Sequence, residues 1–344
     1  MTTDGGNKLN NPKVSVLLLA YNQRLYIAQA LLSVLSVDYD NVELIISDDA
    51  SQDGTAEIID SIVAQYKGNK SVIVNKNSVN MGIGGHINKL LKIASGDLIV
   101  FAAGDDVTYK HRVARIVEEW VIDGCKADAI CSSADVIDPQ GKTIGVLKSG
   151  KIGSNMSSEL KYFFGGFLGC TEAVTKRMVD VFNDFSNEVI GGNSVISEDR
   201  IFAFRAYVTG GILCIPDRLV AYRVSPSSVS NNMNLLGSQT YEERKRYRLV
   251  ELSRLADVLE QCLADIHHLY SSNRIDGKKY LEYMTHIENR KKNLKYQMQS
   301  FGEGLMSRMS AFYRLVKFHE MGVRSAVKLL LAIIAPRYFM VRFY

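Results

Sequence analysis

Along the first hundred residues the hydrophobic positions fall into two kinds of run, and the two kinds alternate. "VSVLLLA" (Val14–Ala20) is a near-continuous apolar run, the pattern of a strand covered on both faces. "YIAQALLSVLS" (Tyr26–Ser36) follows with helical spacing, and "VELIISDD" (Val42–Asp49) reads as a second strand. The spacing then predicts a helix over Thr55–Tyr66, a strand over Ser71–Asn77, a helix over His86–Ala94 and a fourth strand in "DLIVFAA". Such alternation predicts an α/β fold with a parallel sheet built from right-handed βαβ units.

Polar residues gather where these strands end. Tyr21 and Asn22 follow the first strand, Asp48 and Asp49 the second, and Asp105 and Asp106 the fourth. In open α/β sheets ligands bind beyond the carboxyl ends of the strands. Two adjacent carboxylates at the tip of a buried strand repel each other, so a cation or a set of hydroxyls belongs beside them.

Farther along, the pattern predicts a helix over Arg112–Asp123, a strand over Ala127–Ile137 and a turn at "DPQGK". A glycine-rich loop at Gly165 and Gly166, a helix near Ala173–Phe182 and a polar loop over Ser186–Ser197 follow. Glu198–Gly211 reads as a helix with an acidic start and a glycine stop. After about residue 235, Leu252, Leu255, Leu259, Leu263, Ile266 and Leu269 mark an amphipathic helix. A Lys-rich helix over Lys278–Gln297 and further helices in the C-terminal segment complete the chain. The expected division is therefore a catalytic domain over 1–232 and a helical region over 233–344.

Composition narrows the classes. The 344 residues are 47% hydrophobic and 23% charged, ordinary globular material, and a net charge of +4 is too mild for a nucleic-acid partner. From Phe301 to Tyr344, however, seven Arg or Lys face two acids, and apolar residues sit among them. That combination suits contact with an anionic membrane surface as well as it suits an ordinary helical cap. The five scattered cysteines, with no CxxC pair, read as buried thiols of a reducing compartment. "MTTDGGNKLNNPK" has no apolar core of a signal peptide, and "LLLAIIAP" falls far short of the ~20 residues that span a bilayer. A cytoplasmic protein, peripheral on the inner face of the membrane, is expected.

Four stretches together carry a resemblance: "VSVLLLAYNQ", "ELIISDDASQDGT", "GDLIVFAAGDD" and "SEDRIF". In this order and at these separations the first 230 residues resemble a family 2 glycosyltransferase. The resemblance implies a GT-A fold, Rossmann-like with a mostly parallel sheet flanked by helices, here followed by a C-terminal helical extension. It implies a UDP-sugar donor, with Asp49 accepting the N–H of the base, Ala20, Tyr21 and Asn22 along the nucleotide, and Asp105 on the ribose hydroxyls. Asp106, with Asp105, would hold Mg²⁺ or Mn²⁺ against the diphosphate, a hard cation on oxygen ligands. Asp199, with Glu198 beside it, would take the proton of the attacking acceptor hydroxyl. The resemblance further implies an acceptor carried on a polyprenyl diphosphate, as in bacterial surface-polysaccharide assembly.

The sequence departs from the family's pattern in three places. Ala103 stands where many relatives have a further acid, Ile87 of "GHIN" where many have an arginine, and Ser225 follows Tyr222-Arg223-Val224 where many have a histidine. Fewer protein ligands to a metal are implied, with Asp106 the main one and Arg223 helping to neutralise the phosphates. "GIGG" (Gly82–Gly85) lacks the GxGxxG spacing and reads as a tight turn, and His267-His268 as surface. A sugar nucleotidyltransferase and a non-catalytic sugar-nucleotide-binding protein are the rival readings.

Overall fold

The structure is a computed structural model, and it describes residues 11–149, 169–185, 197–225 and 241–300. The chain divides into two compact units, Met1–Ser225 and Pro226–Tyr344. The loop at Gly165 and Gly166, most of the polar loop over 186–197, and the basic C-terminal segment over 301–344 lie outside the described residues.

In the first unit β1 (Val14–Ala20), β2 (Val42–Asp48), β3 (Ser71–Lys76) and β4 (Leu98–Ala103) alternate with α1 (Ile27–Leu35), α2 (Thr55–Gln65) and α3 (Gly82–Ile93). Their order is β3-β2-β1-β4, parallel throughout. Every residue of β2 is buried, which accounts for its lack of polar alternation. The outermost strand, β3, is largely exposed instead. α3 begins earlier than the sequence indicates: "GIGG" forms its first turn, not a separate tight turn, and Gly84 and Gly85 are buried there.

Beyond β4 the sheet turns mixed, and the strands over Ala173–Thr175, Ala129–Ile137, Ile212–Arg223 and Val107–Thr108 follow it in that order. β5 (Val107–Thr108) is a two-residue strand, α4 spans Arg112–Ile122, and β6 (Ala129–Ile137) forms a hairpin with β7 (Thr143–Leu147). β8 (Ala173–Thr175) runs antiparallel between β4 and β6. It occupies the start of the segment where periodicity predicts a helix, and only Lys176–Val179 (α5) is helical there. The Thr175 side chain accepts a hydrogen bond from Met178 N and so fixes the start of that short helix.

α6 spans Glu198–Val208, and β9 (Ile212–Arg223) is a long strand that helical and alternating patterns do not announce. Pro216 lies where the β6–β9 register shifts, between Ile215 and Arg218, so its missing N–H removes no regular ladder bond. The core of this unit joins Leu18, Ile46, Val100, Ile116 and Trp120 with the apolar face of α1. The second unit contributes α7 (Tyr241–Ser271) and α8 (Gly277–Ser300), which pack against each other. Leu252, Leu255, Leu259, Leu263, Ile266 and Leu269 are all buried, as their spacing requires.

Candidate active site

The carboxyl ends of β1, β2 and β4 lie side by side. Ala20 pairs with Asp48 and Leu19 with Ala103, and the ladder runs on through Gly104 N to Leu19 O at 2.8 Å. Gly104 suits this approach, because a Cβ there would lie 3.1 Å from Leu19 O and would displace the Gln23 Oε1, 2.1 Å away.

The loops after β1 and β2 brace each other. Asn22 sits in the left-handed region (φ 51°), a conformation asparagine tolerates. Its N–H donates to Ser51 Oγ at 2.8 Å, and its Oδ1 accepts from Gln52 N at 2.9 Å. Asp48 accepts from Ser51 N and Oγ, and Asp53 from Arg24 N and from Thr55 N and Oγ1. Much of the "SDDASQDGT" signature is thus loop construction. Tyr21 remains 47% exposed at the sheet edge, available to lie against a ring, while the Ala20 carbonyl accepts Asp49 N at 2.9 Å. Asp49 is buried, and both of its side-chain bonds, from Asn77 Nδ2 (2.7 Å) and Met81 N (3.0 Å), fall on Oδ1.

Asp105 and Asp106 lie in a turn closed by Asp106 N to Ala103 O at 3.2 Å. Arg223, at the end of β9, anchors it: Arg223 N donates to Asp106 Oδ1 at 2.7 Å, and Nε to the Asp105 carbonyl at 2.8 Å. The rest of its guanidinium donates to the Asp138 and Pro139 carbonyls and to Gln29 Oε1, and packs 4.7 Å over the Tyr26 ring. Expected at the phosphates, Arg223 is a buried brace for the acidic turn in this conformation.

Burial, followed by the Asp105 carboxylate, pushes Asp106 up to about 7, against the lowering effects of Arg223 N–H, Cys170 and Arg112. Burial likewise raises Asp105. Arg112 is a fully buried guanidinium whose own value burial lowers to about 10. The acidic pair is therefore under-neutralised by the protein. Among the described residues no group of three or more His, Cys, Asp or Glu could hold a metal ion by itself. The donor set nevertheless fits one hard cation on Asp106 that takes its other oxygens from a non-protein ligand.

Glu198 and Asp199 open α6, where acids favour the helix dipole. Burial, then the neighbouring Asp199, pushes Glu198 up to about 8. A short 3₁₀ turn, Gly169–Thr171, joins the two acidic groups. Its Cys170 hydrogen-bonds the Asp106 side chain, and a Cβ on Gly169 would lie 3.2 Å from Glu198 Oε1 and 3.8 Å from Asp199 Cβ. Acids 92 and 93 residues apart along the chain (198 − 106 and 199 − 106) thus meet around one turn. Sequence reasoning placed Cys170 as lining at most, and it missed Arg112 and Glu172. The last is 1% exposed with Oε1 unbonded, and burial, then Asp199 and Glu198, raises its value well above the carboxylate range. A lone acid among the uncharged residues of "TEAVT" was the available signal.

A parallel βαβ half joined to a mixed half, with acids at the strand ends and an acid pair heading a later helix, defines a GT-A fold. Residues 15–178, a little under half of the chain, match the family model described as "Glycosyl transferase family 2". EpsE of Bacillus subtilis (strain 168), which carries a glycosyltransferase name, is 38% identical over 108 residues, 31% of this chain and 38% of EpsE. The Escherichia coli protein named "UDP-Glc:alpha-D-GlcNAc-diphosphoundecaprenol beta-1,3-glucosyltransferase WfaP" is 40% identical over 93 residues, 27% of this chain and 35% of WfaP. The chain therefore spans well under half the length of these relatives.

Two solved structures match nearly the whole fold. S. aureus TarS 1–349 in complex with UDP has a TM-score of 0.52 at 15% identity, covering 94% of this chain and 92% of that one. The mannosyltransferase PcManGT from Pyrobaculum calidifontis, with GDP-Man and Mn²⁺, has a TM-score of 0.53 at 16% identity, covering 96% and 83%. At such identities the likeness speaks to the fold.

Proposed function

We propose that the chain is an inverting glycosyltransferase that moves a hexose or N-acetylhexosamine from a UDP-sugar to a sugar hydroxyl. The acceptor is a polyprenyl-diphosphate-linked saccharide of surface-polysaccharide assembly, met at the cytoplasmic face of the membrane. What supports this reading most is the meeting of Asp106 with Glu198 and Asp199 around the Gly169–Thr171 turn. A site needs both groups within one sugar's reach to bind a diphosphate and activate an alcohol. The UDP of the TarS complex and the diphosphoundecaprenol in the name of WfaP favour this donor and acceptor class.

In this reading Asp49 accepts the base N–H through Oδ2, because Oδ1 is occupied. Tyr21 and the Ala20–Asn22 backbone lie along the nucleotide, and Asp105 takes the ribose hydroxyls. Asp106 would hold Mg²⁺ or Mn²⁺, which when bound neutralises charge on the departing diphosphate. Asp199 removes the proton of the attacking hydroxyl, and Glu198, with its raised value, stays protonated beside it and leaves the charge on Asp199.

The test is product analysis with the full chain, a panel of nucleotide sugars, Mn²⁺ and a detergent-solubilised polyprenyl acceptor. Free UDP is the expected product, and free pyrophosphate would mark nucleotidyl transfer instead. Asp199→Asn should abolish UDP release while sparing UDP binding. An unchanged signal in that variant removes Asp199 from the role of base.

A further inference from the structure

Two thiols meet inside the first unit, and nothing in the proposed transfer uses them. Cys131 of β6 and Cys214 of β9 are register partners on adjacent parallel strands, with their sulfurs 3.2 Å apart. Cys131 is 2% exposed, whereas Cys214 is half-buried and so is the thiol that a small solute reaches first. Partners facing each other across one ladder step have backbones close enough for a disulfide to close with a small movement of the two side chains.

We propose that Cys131 and Cys214 form a reversible redox modification site, oxidised to a disulfide by hydroperoxides, with Cys214 attacking and Cys131 resolving. The hydrogen bond between the thiols distinguishes them: it lowers Cys214, against the effect of burial, and raises Cys131. A partly exposed, thiolate-prone cysteine with a second thiol in contact is the arrangement of redox-sensing pairs. Cys214 thiolate attacks a peroxide oxygen, the O–O bond breaks, and a sulfenic acid and hydroxide result. Cys131 sulfur then attacks Cys214 sulfur, the S–O bond breaks, and water leaves with the remaining proton. Two thiols have lost two electrons, and one hydrogen peroxide has become two waters.

The pair is wired to the acidic site. Continuing the β6–β8 register (Ala129↔Val174, Ile130↔Ala173) sets Cys131 opposite Glu172, one residue beyond the Gly169–Thr171 turn. On the other side Cys214 lies in the strand that ends at Arg223, the brace of Asp105 and Asp106. The remaining cysteines are placed otherwise: Cys170 bonds Asp106, Cys262 is buried in α7, and Cys125 lies outside the sheet.

Hydrogen peroxide added to the folded full chain, followed by thiol counting in denaturant and peptide mapping without reductant, tests the assignment. The count should fall from five to three (five minus the pair), with the Cys131 and Cys214 peptides linked, and dithiothreitol should restore five. Cys125→Ser should still lose two thiols, whereas Cys214→Ser should show no linked peptide. A folded chain that keeps five thiols while the denatured chain oxidises overturns the proposal. So does a link between any other two cysteines, or sulfinic acid at Cys214 as the main product.

Discussion

Two buried acids of the same sheet show how surroundings decide what a carboxylate is for. Glu43 in β2 is also out of solvent, and burial opposes its charge, yet Lys13, Ser15 and Ser95 bond it and hold it down at about 2. At Asp106, burial and the neighbouring Asp105 outweigh the Arg223 N–H, Cys170 and Arg112, and it rests at about 7. Because Asp106 keeps a proton in the folded chain that the unfolded chain releases near pH 4, it draws stability away as pH rises from about 4 to about 7. Asp106→Asn should therefore raise stability at pH 8 by about 1–2 kcal/mol and flatten the pH dependence of urea melts. The same variant should lower UDP release on the order of 100-fold, the cost of losing several kcal/mol of charge stabilisation. Asp49→Ala should weaken UDP binding by calorimetry roughly 10- to 100-fold, the worth of a hydrogen bond to a charged group. At this scale the acids were legible, since charge at the tip of an apolar run is conspicuous. Arg112 was not, and Arg223 was singled out but without its bracing contacts, because a buried guanidinium looks like any surface arginine until its partners are known.

At the scale of the element, periodicity was a sound guide wherever one face or both faces meet a uniform core. β1, β2, β4 and the first two helices follow from it directly, and the third helix in all but its first turn. It failed where pairing overrides pattern: Ala173–Thr175 becomes a strand because β4 and β6 leave a gap between them, and β9 carries Pro216, Asp217 and Arg218 at an irregular register. The connections are equally demanding. Gly96 joins α3 to β4 where a Cβ would lie 2.5 Å from Ser15 N and 2.8 Å from Leu98 O, both backbone atoms that cannot move aside. Gly96→Ala should cost about 1–3 kcal/mol in urea unfolding, with the loss in the midpoint rather than the slope.

For the molecule as a whole, the alternating and amphipathic patterns anticipated a mostly parallel α/β fold followed by C-terminal helices. They could not supply the long-range meeting at Gly169–Thr171, which depends on how β8 inserts between strands made much earlier and later. Among the described residues no helix is long and apolar enough to cross a membrane. If the nucleotide occupies the edge of the sheet, UDP should stabilise the folded chain by mass action, about 2.7 kcal/mol at a hundredfold excess over Kd. Thermal melts with UDP, with and without Mn²⁺, check this, and the larger shift is expected with both present. The two margins of the main sheet path carry a separate consequence. β3 shows Ile73 and Val74 to solvent but is flanked by Lys70 and Lys76, and at the far margin β5 offers only two residues. Lysines at the ends of β3 and the shortness of β5 make these two margins poor templates for another chain to extend, which lowers the tendency to fibrous self-association along that path.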